Sequence, residues 1–471
     1  MGGARVLVAG LGVSGRAAAA ALRPRGAHVV TLDAQVADAD AATLDQVDLG
    51  ATDLVIASPG WRPSSTVLVE AARRGVSVWS EVELAWRLRA VRPDGSVAPW
   101  LAVTGTNGKT TTVGMLAAIL AAAGLRAPAV GNVGTPVVEV ATDPANDVLA
   151  VELSSFQLHF THTMAARAAA VLNVAPDHLD WHGSLDAYRA AKARIFERVE
   201  VACVYPALDG GVEAMVRDAD VAEGARAVGV TLGAPGPGQI GLVDGVVADR
   251  SFHLPFDAPS RMSSAAELCT LEDLTHLGGP DGRLAPHVVL DALTAAALAR
   301  AQGVPARAVR DGLRAYRAGE HRTAHVLTVD GVSFVDDSKA TNAHAASAAL
   351  GGFAPGTVVW IAGGLAKGAR FDDLVAERAD RLHAVVLIGV DPEPLSDALA
   401  RHAPAIPVVR IDPADTGTVM SRAVTAARRL ARPGDTVLLA PACASMDQFA
   451  SYAQRGAAFA EAVRDGSAAG L

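Results

Sequence analysis

The chain has 471 residues, of which 51% are hydrophobic and 19% are charged, and its formal net charge is -9. This length exceeds what one hydrophobic core usually supports and predicts about three domains, while the hydrophobic content argues against a disordered protein. The negative net charge argues against nucleic acid as a partner.

The cysteines and the hydropathy of the sequence indicate the cellular compartment in which we expect the protein. The three cysteines, Cys203, Cys269 and Cys443, are far apart and lack C-x-x-C spacing, so the sequence suggests neither a zinc site nor a disulfide framework. No apolar run approaches the roughly 20 residues of a membrane span. The first ten residues lead directly into a glycine motif, unlike a signal peptide. We therefore expect a cytoplasmic protein.

The first predicted unit is a strand over residues 5–9, a glycine loop reading G-L-G-V-S-G at 10–15, and a helix to Leu22. A second strand ends in Asp33, at the distance where Rossmann units place a ribose-binding carboxylate. The motif alone favours a nicotinamide or flavin enzyme, with another nucleotide or a turn without a ligand as alternatives. A third strand ends at Ser58-Pro59-Gly60, on the edge where open α/β sheets bind ligands.

A polar linker at 92–96 precedes the most informative stretch, T-G-T-N-G-K-T-T-T at 104–112. It lies between an apolar strand and a helix, as a phosphate-binding loop does. Its glycines allow successive N–H groups to face one anion, the helix end adds positive charge, and Lys109 can reach the outer phosphates. Thr110 stands where P-loops place the Mg²⁺-binding hydroxyl. The spacing departs from G-x-x-x-x-G-K-[ST] because Val103 replaces the first glycine, so an ordinary glycine turn is the alternative.

Three further strand ends are predicted beside this loop. They are the glycine-punctuated loop at 131–136, Glu152 after a strand at 147–151, and Asp177-His178 after a strand at 168–174. One such residue often only caps a helix, but these three converge on the phosphate-binding edge of one sheet. An acid at a strand end beside a P-loop is where a second Mg²⁺ ligand belongs.

The remaining chain is predicted as follows. A helix over 184–199 carries Lys192, which taken alone would be a solvated charge. A hairpin turns at Asp244-Gly245, the stretch 255–282 is a loop, and two helices close the central domain. Beyond 318, four strands alternate with helices, behind a hairpin at Asp330-Gly331. The first of these strands, at 357–362, precedes a glycine loop carrying Lys367, which a plain turn explains equally well.

Several of these strings resemble the Mur ligase family of cell-wall amino-acid ligases. They are T-G-T-N-G-K-T at 104–110, E-L-S-S at 152–155, Asp177-His178 and Y-R-A-A-K at 188–192. Later strings resemble the branch that adds D-glutamate: His321-Arg322, D-D-S-K-A-T-N at 336–342, P-A-C-A-S-M-D-Q-F at 441–449, Tyr452 and Arg455-Gly456. The similarity spans essentially the whole chain.

The resemblance implies an α/β protein of three domains. These are a Rossmann-like domain at 1–93 for the UDP substrate, a central P-loop domain with a mostly parallel sheet at 94–317 for ATP, and a Rossmann-like, doubly wound domain at 318–471 for the amino acid. It further implies a monomeric ATP-dependent ligase of peptidoglycan precursor synthesis. That enzyme joins D-glutamate to UDP-N-acetylmuramoyl-L-alanine through an acyl phosphate, with two Mg²⁺ ions and a carbamylated Lys192.

Site residues are carried over from the family position by position. The residues implied for ATP are Gly105, Thr106, Asn107, Gly108, Lys109, Thr110, Thr111, Asp291, Arg322 and Asp337. Those implied for Mg²⁺ are Thr110, Glu152, His178 and Lys192, and with Lys109 the last three form the catalytic set. Val13, Ser14, Asp33 and Gly60 are implied for the UDP group, and Asn132 and Ser154 for the muramoyl-alanine arm. Lys339, Thr341, Lys367, Ser445, Met446 and Tyr452 are implied for D-glutamate.

One departure bears on adenine binding. Where the family usually carries H-N-x-x-N, this chain reads H-V-V-L-D at 287–291; Asp291 can still accept a hydrogen bond from an adenine amino group. Three other classes remain open at this point. A folylpolyglutamate-type ligase would share the phosphate loop but lack the UDP domain and Asp337-Ser338-Lys339, a dehydrogenase would use a nicotinamide, and a non-catalytic protein would bind ATP without turnover.

Overall fold

The computed structural model describes residues 1–132, 134–279, 282–415 and 417–468. Val133, part of the predicted loop at 131–136, lies outside the described residues. The described chain forms two compact units. One comprises Met1–Asp273 with Leu290–Tyr316, and the other comprises Leu274–Val289 with the described residues from Arg317 onward.

The first sheet has four parallel strands in the order β2-β1-β3-β4. Parallel strands need crossover connections, and helices supply two of them here. A Cβ on Gly15 would lie 1.8 Å from the carbonyl oxygen of Gly10, so only glycine lets the first helix approach the loop this closely. The elements are β1 (Arg5–Ala9), α1 (Val13–Leu22), β2 (His28–Leu32), β3 (Leu54–Ala57), α2 (Thr66–Arg73), β4 (Ser77–Ser80) and α3 (Glu81–Arg87).

The second sheet has nine strands in the order β13-β12-β11-β10-β9-β8-β5-β7-β6. It is parallel from β6 to β11, and its last three strands are antiparallel. Its elements are β5 (Trp100–Thr104), α4 (Lys109–Ala122), β6 (Ala129–Gly131), α5 (Val137–Ala141), β7 (Leu149–Glu152), α6 (Ser155–His159), β8 (Ala168–Val171), α7 (Leu179–His182), α8 (Leu185–Ala193), β9 (Ala202–Pro206), α9 (Gly210–Arg217), β10 (Arg226–Val230), β11 (Gln239–Val243), β12 (Val246–Asp249), β13 (Ala266–Thr270), α10 (Pro286–Ala301) and α11 (Ala306–Ala315).

Strand β5, which precedes the phosphate loop, lies between β7 and β8. Its buried residues are apolar almost throughout, as expected for a strand covered on both faces. Val103 is in register with Glu152 on one side, and Thr104 is in register with Val171 on the other. The predicted convergence of these strand ends at one sheet edge is therefore confirmed.

The hairpin at Asp244-Gly245 is also confirmed, with both residues at positive φ. The prediction of a loop over 255–282 was wrong in part. Ala266–Thr270 forms β13, and Pro259–Ser263 and Leu271–Leu277 are 3₁₀-helical. The short sequence A-E-L-C-T lacks the strict alternation of apolar and polar residues that indicates a strand, and pairing with β12 stabilises it.

The third sheet, in the second unit, has six strands in the order β14-β15-β19-β16-β17-β18, all parallel except β14. The hairpin at Asp330-Gly331 joins β14 to β15, as predicted. Its elements are β14 (Ala324–Val329), β15 (Val332–Asp336), α12 (Ala343–Leu350), β16 (Val358–Gly363), α13 (Asp372–Arg378), β17 (Leu382–Ile388), α14 (Glu393–His402), β18 (Val408–Arg410), α15 (Val419–Leu430), β19 (Thr436–Leu439) and α16 (Tyr452–Ala468).

Each sheet lies within one of the three ranges predicted as domains, and the predicted α/β fold class is confirmed. The exact boundaries near 93 and 317 stay predictions. The first two sheets belong to one unit and share a buried seam, where the Glu81 carboxylate accepts a hydrogen bond from the Val138 N–H group at 2.5 Å. Among the described residues, no helix is both long and apolar enough to cross a membrane.

Candidate active site

The predicted strand, phosphate loop and helix are present. Strand β5 ends at Thr104, and α4 begins at Lys109 directly after Gly108, which has a φ of 85°. A Cβ on Gly108 would also lie only 2.5 Å from a carboxylate oxygen of Asp291. Glycine is therefore required at 108 both by the left-handed backbone and by the close approach of this side chain.

The Lys109 side chain folds back over the loop that precedes it. Its Nζ donates to the carbonyl oxygens of Gly105 at 3.0 Å and Thr106 at 2.9 Å. The ammonium group thus lies against the loop at the N-terminus of α4, where backbone N–H groups and the helix dipole both favour an anion.

Glu152 connects two other predicted site residues. Its carboxylate accepts hydrogen bonds from the Thr110 hydroxyl at 2.7 Å and from the Asn132 amide at 2.9 Å, and it is only 2% exposed. Carboxylate and hydroxyl oxygens are the ligands that Mg²⁺ prefers. This arrangement fits the predicted metal role of Thr110 and Glu152. Asn132 orients Glu152 in addition to its predicted contact with substrate.

Ser154 begins α6 as its N-cap. Its hydroxyl accepts a hydrogen bond from the Gln157 N–H group, and the Gln157 side chain bonds back to Ser154 in a capping box. The predicted contact of Ser154 with the muramoyl-alanine arm stays a prediction. Its cap fixes how the chain leaves the strand that carries Glu152.

Lys192 is buried, with 1% of its surface exposed, so the reading of it as a solvated helix lysine is wrong. Its Nζ lies 2.7 Å from the Gly105 carbonyl oxygen and 4.6 Å from the centre of the Tyr188 ring. Burial lowers the pKa of Lys192 well below its usual value, and repulsion from Lys109 lowers it further. Burial therefore disfavours the ammonium form of Lys192 relative to an exposed lysine.

His178 precedes α7 in a left-handed conformation, with a φ of 53°. Its ring contacts Phe156 at 4.8 Å between centroids, and Phe156 in turn contacts Trp181 at 4.7 Å. His178 is a strained, non-glycine residue held by aromatic packing beside the phosphate loop. The sequence reasoning found His178 but not these aromatic neighbours.

Asp291 is 5% exposed, and its carboxylate accepts a hydrogen bond from Thr112 at 3.1 Å. One carboxylate oxygen therefore faces the start of α4, next to Gly108. The predicted contact of Asp291 with adenine stays a prediction.

The residues predicted for the UDP group surround the glycine loop of the first sheet. Asp33 accepts hydrogen bonds from the Leu11 N–H group at 2.8 Å and the Gln35 N–H group at 2.9 Å, which lower its pKa. Val13 is 72% exposed at the start of α1. Ser14 and Gly60 are half-buried and exposed, respectively. Asp33 thus anchors the loop at the carboxyl end of β1.

The second unit brings its own predicted residues to the carboxyl ends of its strands. Asp337 follows β15; burial and the neighbouring Asp336 raise its pKa to about 7, and Arg322 acts against this shift. The Lys339 ammonium lies 4.0 Å from the centre of the Tyr452 ring. Thr341, two residues further on, donates its backbone N–H to the Lys339 carbonyl oxygen at 2.8 Å.

Two loops of this unit lie side by side. Leu365 forms a β-bridge with Ala444, so the loop that carries Lys367 is adjacent to the loop that carries Ser445 and Met446. Lys367 has a φ of 51°, Ser445 is buried, and Met446 is 62% exposed. The structure thus groups three of the residues predicted for D-glutamate.

Arg455 was noticed in the sequence without a role. It is 1% exposed and donates to the Ser338 side-chain and backbone oxygens at 3.0 and 2.9 Å and to the Cys443 carbonyl oxygen at 3.1 Å. It therefore joins the segment that carries Lys339 to the segment that carries Ser445.

A compositional signal was also overlooked. Only four of the 41 basic residues are lysines, namely Lys109, Lys192, Lys339 and Lys367, and all four occupy predicted site positions. Arginine supplies the positive charge elsewhere in the chain. Lysine differs from arginine in being a compact charge that can lose its proton when buried. Lysine therefore occurs in this sequence only at positions where the predicted site would use a compact charge or a neutral amine.

In chain order, a Rossmann-like sheet, a P-loop domain with a buried lysine and carboxylate, and a doubly wound domain define an α/β nucleotide-binding protein of the Mur ligase type. Residues 103–225 match the Mur ligase middle domain, and residues 321–443 match the glutamate ligase domain of Mur ligases. The solved structure of the UDP-N-acetylmuramate–alanine ligase of Thermotoga maritima has a similar fold. It superimposes with a TM-score of 0.55 at 17% identity, over 98% of this chain and 99% of that one.

Sequence identity to two curated enzymes is much higher than this 17%. The UDP-N-acetylmuramoylalanine–D-glutamate ligase of Streptomyces avermitilis is 56% identical over an alignment of 478 residues, and this alignment covers 98% of each chain. The enzyme of the same name from Streptomyces coelicolor is 55% identical, with the same coverage. The chain therefore belongs to the UDP-N-acetylmuramoylalanine–D-glutamate ligase family, and the resemblance drawn from its motifs is confirmed.

Proposed function

We propose that this protein joins D-glutamate to UDP-N-acetylmuramoyl-L-alanine, with ATP converted to ADP and phosphate, in peptidoglycan precursor synthesis. The observation that carries the proposal is the phosphate loop, against which Lys109 and the buried Lys192 both lie, with Glu152 bonded to Thr110 beside it. The names of the relatives supply the two substrates.

Activation of the carboxylate is the central chemical problem. A carboxylate and an amine do not condense in water, because the leaving group would be hydroxide. Transfer of the γ-phosphoryl group of ATP to the carboxylate gives an acyl phosphate; the D-glutamate amine then attacks the carbonyl carbon, and phosphate leaves. Lys109 and the N–H groups at the start of α4 stabilise the charge on the phosphoryl oxygens.

Mg²⁺ fits the oxygen donors of Thr110 and Glu152, and when bound it supplies charge neutralisation between ATP and the substrate carboxylate. In the described part of the chain, no cluster of three or more His, Cys, Asp or Glu side chains suited to a metal is found. Phosphate oxygens of ATP and water molecules would complete the coordination of a Mg²⁺ ion held there. His178 and carbamylated Lys192 are proposed to hold a second Mg²⁺.

The environment of Lys192 supports the proposed carbamylation. Burial lowers the pKa of the Lys192 amine, which raises the share of the neutral form that can add CO₂. The carbamate replaces a cation by an anion at the end of a long side chain, and a metal site can use that anion. An unmodified ammonium group would instead repel Mg²⁺.

The other substrates are proposed to bind where the predicted residues cluster. The glycine loop of the first sheet holds the UDP group, and the arm passes Asn132 and Ser154. D-Glutamate, with two carboxylates, is held by Lys339, Lys367 and their neighbours in the second unit. We propose that the enzyme acts as a cytoplasmic monomer on these small molecules.

Amino-acid selection tests the proposed function. Phosphate release in the presence of ATP, Mg²⁺ and UDP-N-acetylmuramoyl-L-alanine should depend on D-glutamate and should not occur with L-glutamate, L-alanine or diaminopimelate. ATP binding without turnover would identify a non-catalytic protein. Turnover with one of the other amino acids, but not with D-glutamate, would overturn the assignment.

Arg455 should act on D-glutamate binding at a distance. In Arg455→Lys, one ammonium cannot reproduce the three hydrogen bonds that bridge Ser338 and Cys443. We expect the KM for D-glutamate to rise about tenfold, because the lost hydrogen bonds hold the segments that carry Lys339 and Ser445. The KM for ATP should change much less. Steady-state kinetics against each substrate measures this split.

A surface change in the same unit provides the control for Arg455. Arg401 is 54% exposed and pairs with Asp372, so Arg401→Lys should change neither constant. An equal rise in both KM values in Arg455→Lys would indicate general loosening of the unit instead of a local effect on D-glutamate.

A further inference from the structure

Asn173 follows β8 and bonds to the middle of the phosphate loop. Its side-chain oxygen accepts hydrogen bonds from the N–H groups of Thr106 at 3.1 Å and Asn107 at 2.9 Å, and its side-chain nitrogen donates to the Asn107 carbonyl oxygen at 3.2 Å. Its backbone oxygen accepts a further bond from Thr106 at 3.0 Å. These partners fix the amide orientation, because two N–H donors require the oxygen and a carbonyl requires the NH₂ group.

The neighbours of Asn173 make this contact rigid. Leu172 packs so closely that its Cβ lies 3.0 Å from the position of a Cβ on Gly105, and the Ala175 N–H group donates to the Thr106 hydroxyl at 3.0 Å. Residues 172–175 thus follow the loop along its length, and Asn173 is anchored on both sides.

The short loop explains what this contact achieves. Position 103, where a standard P-loop has its first glycine, belongs to β5 here, so only residues 105–107 lie between the strand and Gly108. Two of the N–H groups of this short segment face Asn173. The N–H groups at the start of α4 are therefore the ones placed to meet phosphate.

We propose that Asn173 is a positioning residue that holds the first half of the phosphate loop, so that residues 108–111 and Lys109 bind the phosphates of ATP. The proposal rests on the proposed function for the identity of the nucleotide. Because Asn173 orders the loop before ATP binds, less conformational entropy is lost when ATP binds.

Hydrogen–deuterium exchange of the ligand-free protein tests the contact directly. In Asn173→Ala, the amide of Asn107 should exchange at least about tenfold faster, because its side-chain acceptor is lost, whereas the amide of Thr106 keeps the backbone oxygen of residue 173 as its acceptor and should change less. Calorimetry should show ATP affinity reduced about tenfold to thirtyfold, as for two lost hydrogen bonds. Affinity for UDP-N-acetylmuramoyl-L-alanine should not change.

Asn146 offers a matched control, because it is 2% exposed and its amide nitrogen donates to the Val140 carbonyl oxygen at 3.0 Å. It precedes β7, at the end of that strand opposite to Glu152. Asn146→Ala should lower thermal stability without changing loop exchange or ATP affinity. Unchanged exchange or unchanged ATP affinity in Asn173→Ala would overturn the proposal, and so would the same changes in Asn146→Ala.

Asn173→Asp serves if the alanine variant fails to fold. Aspartate keeps the acceptor oxygens but cannot donate to the Asn107 carbonyl oxygen, so the Asn107 amide should exchange faster than in the wild-type protein. A wild-type exchange rate would contradict the proposal. Neither readout involves D-glutamate or turnover, so a failure of the proposed function would be seen separately.

Discussion

Lys109→Ala should reduce turnover by on the order of 10²–10³ while leaving the affinity for the UDP substrate nearly intact. The ammonium group lies at the loop and the N-terminus of α4, where it can neutralise charge on the transferred phosphoryl group, and the loss of one such electrostatic contact in a pre-organised site costs about 10²–10³. The residues proposed for the UDP group surround a different glycine loop, in a different sheet.

Two measurements on Lys109→Ala separate these effects. Phosphate release reports turnover, and calorimetric titration with UDP-N-acetylmuramoyl-L-alanine reports the affinity for the UDP substrate. Arg126→Ala is a suitable control, since the Arg126 side chain is 60% exposed and pairs at the surface with Asp143 at 2.6 Å. It should leave both values unchanged. A large loss of UDP-substrate affinity in Lys109→Ala would show that the two sites are not independent.

Much of the fold could be predicted because its signals are local. Apolar strands that end in glycine loops lie within a few residues of their predicted bounds, and both predicted hairpins contain an Asp-Gly pair with positive φ. Strand β13 could not be predicted, because its sequence carries no pattern of its own. It forms through pairing with β12, a contact that depends on the tertiary structure.

Site residues at strand ends could be predicted for the same local reason. Glu152 follows an apolar run, and register places it beside the phosphate loop. Asn173 was missed, and Arg455 was noticed without a role, because both side chains bond to backbone groups that are distant in sequence, which no motif shows. Such contacts become visible only when the partners are in place.

The burial of Lys192 had a signal that was not used. Tyr188, Ala191, Lys192 and Ile195 have the i, i+3, i+4, i+7 spacing of one helix face, and all four are buried. Arg189 lies on the opposite, exposed face. Helical periodicity alone therefore places Lys192 inside, where a lysine requires a special reason.

Lys192→Ala should lower turnover by on the order of 10²–10³, the scale of a lost electrostatic stabiliser. If Lys192 is carbamylated, its removal leaves the second Mg²⁺ short of a ligand and the acyl-phosphate charge poorly neutralised. Arg189→Ala removes a positive charge from the exposed face of the same helix and should leave turnover nearly unchanged, because exposed charges contribute little.

The small number of lysines permits a direct test of the modification. With carbon-13-labelled bicarbonate, the wild-type protein should show a carbamate signal in its NMR spectrum, and Lys192→Ala should lose it. The other three lysines serve as internal controls, since the signal should persist in Lys367→Ala. A carbamate signal that survives in Lys192→Ala would assign the modification to another lysine.

Chemical rescue completes the case for Lys192 as a metal ligand. The alanine variant should have space of about the lost side chain, so a short carboxylic acid at millimolar to molar concentration should place an oxygen near the metal and restore part of the activity. Chloride at equal ionic strength should not, because it lacks the hard oxygen that Mg²⁺ prefers. Full activity of Lys192→Ala without additive, or equal rescue by chloride, would remove Lys192 from the site.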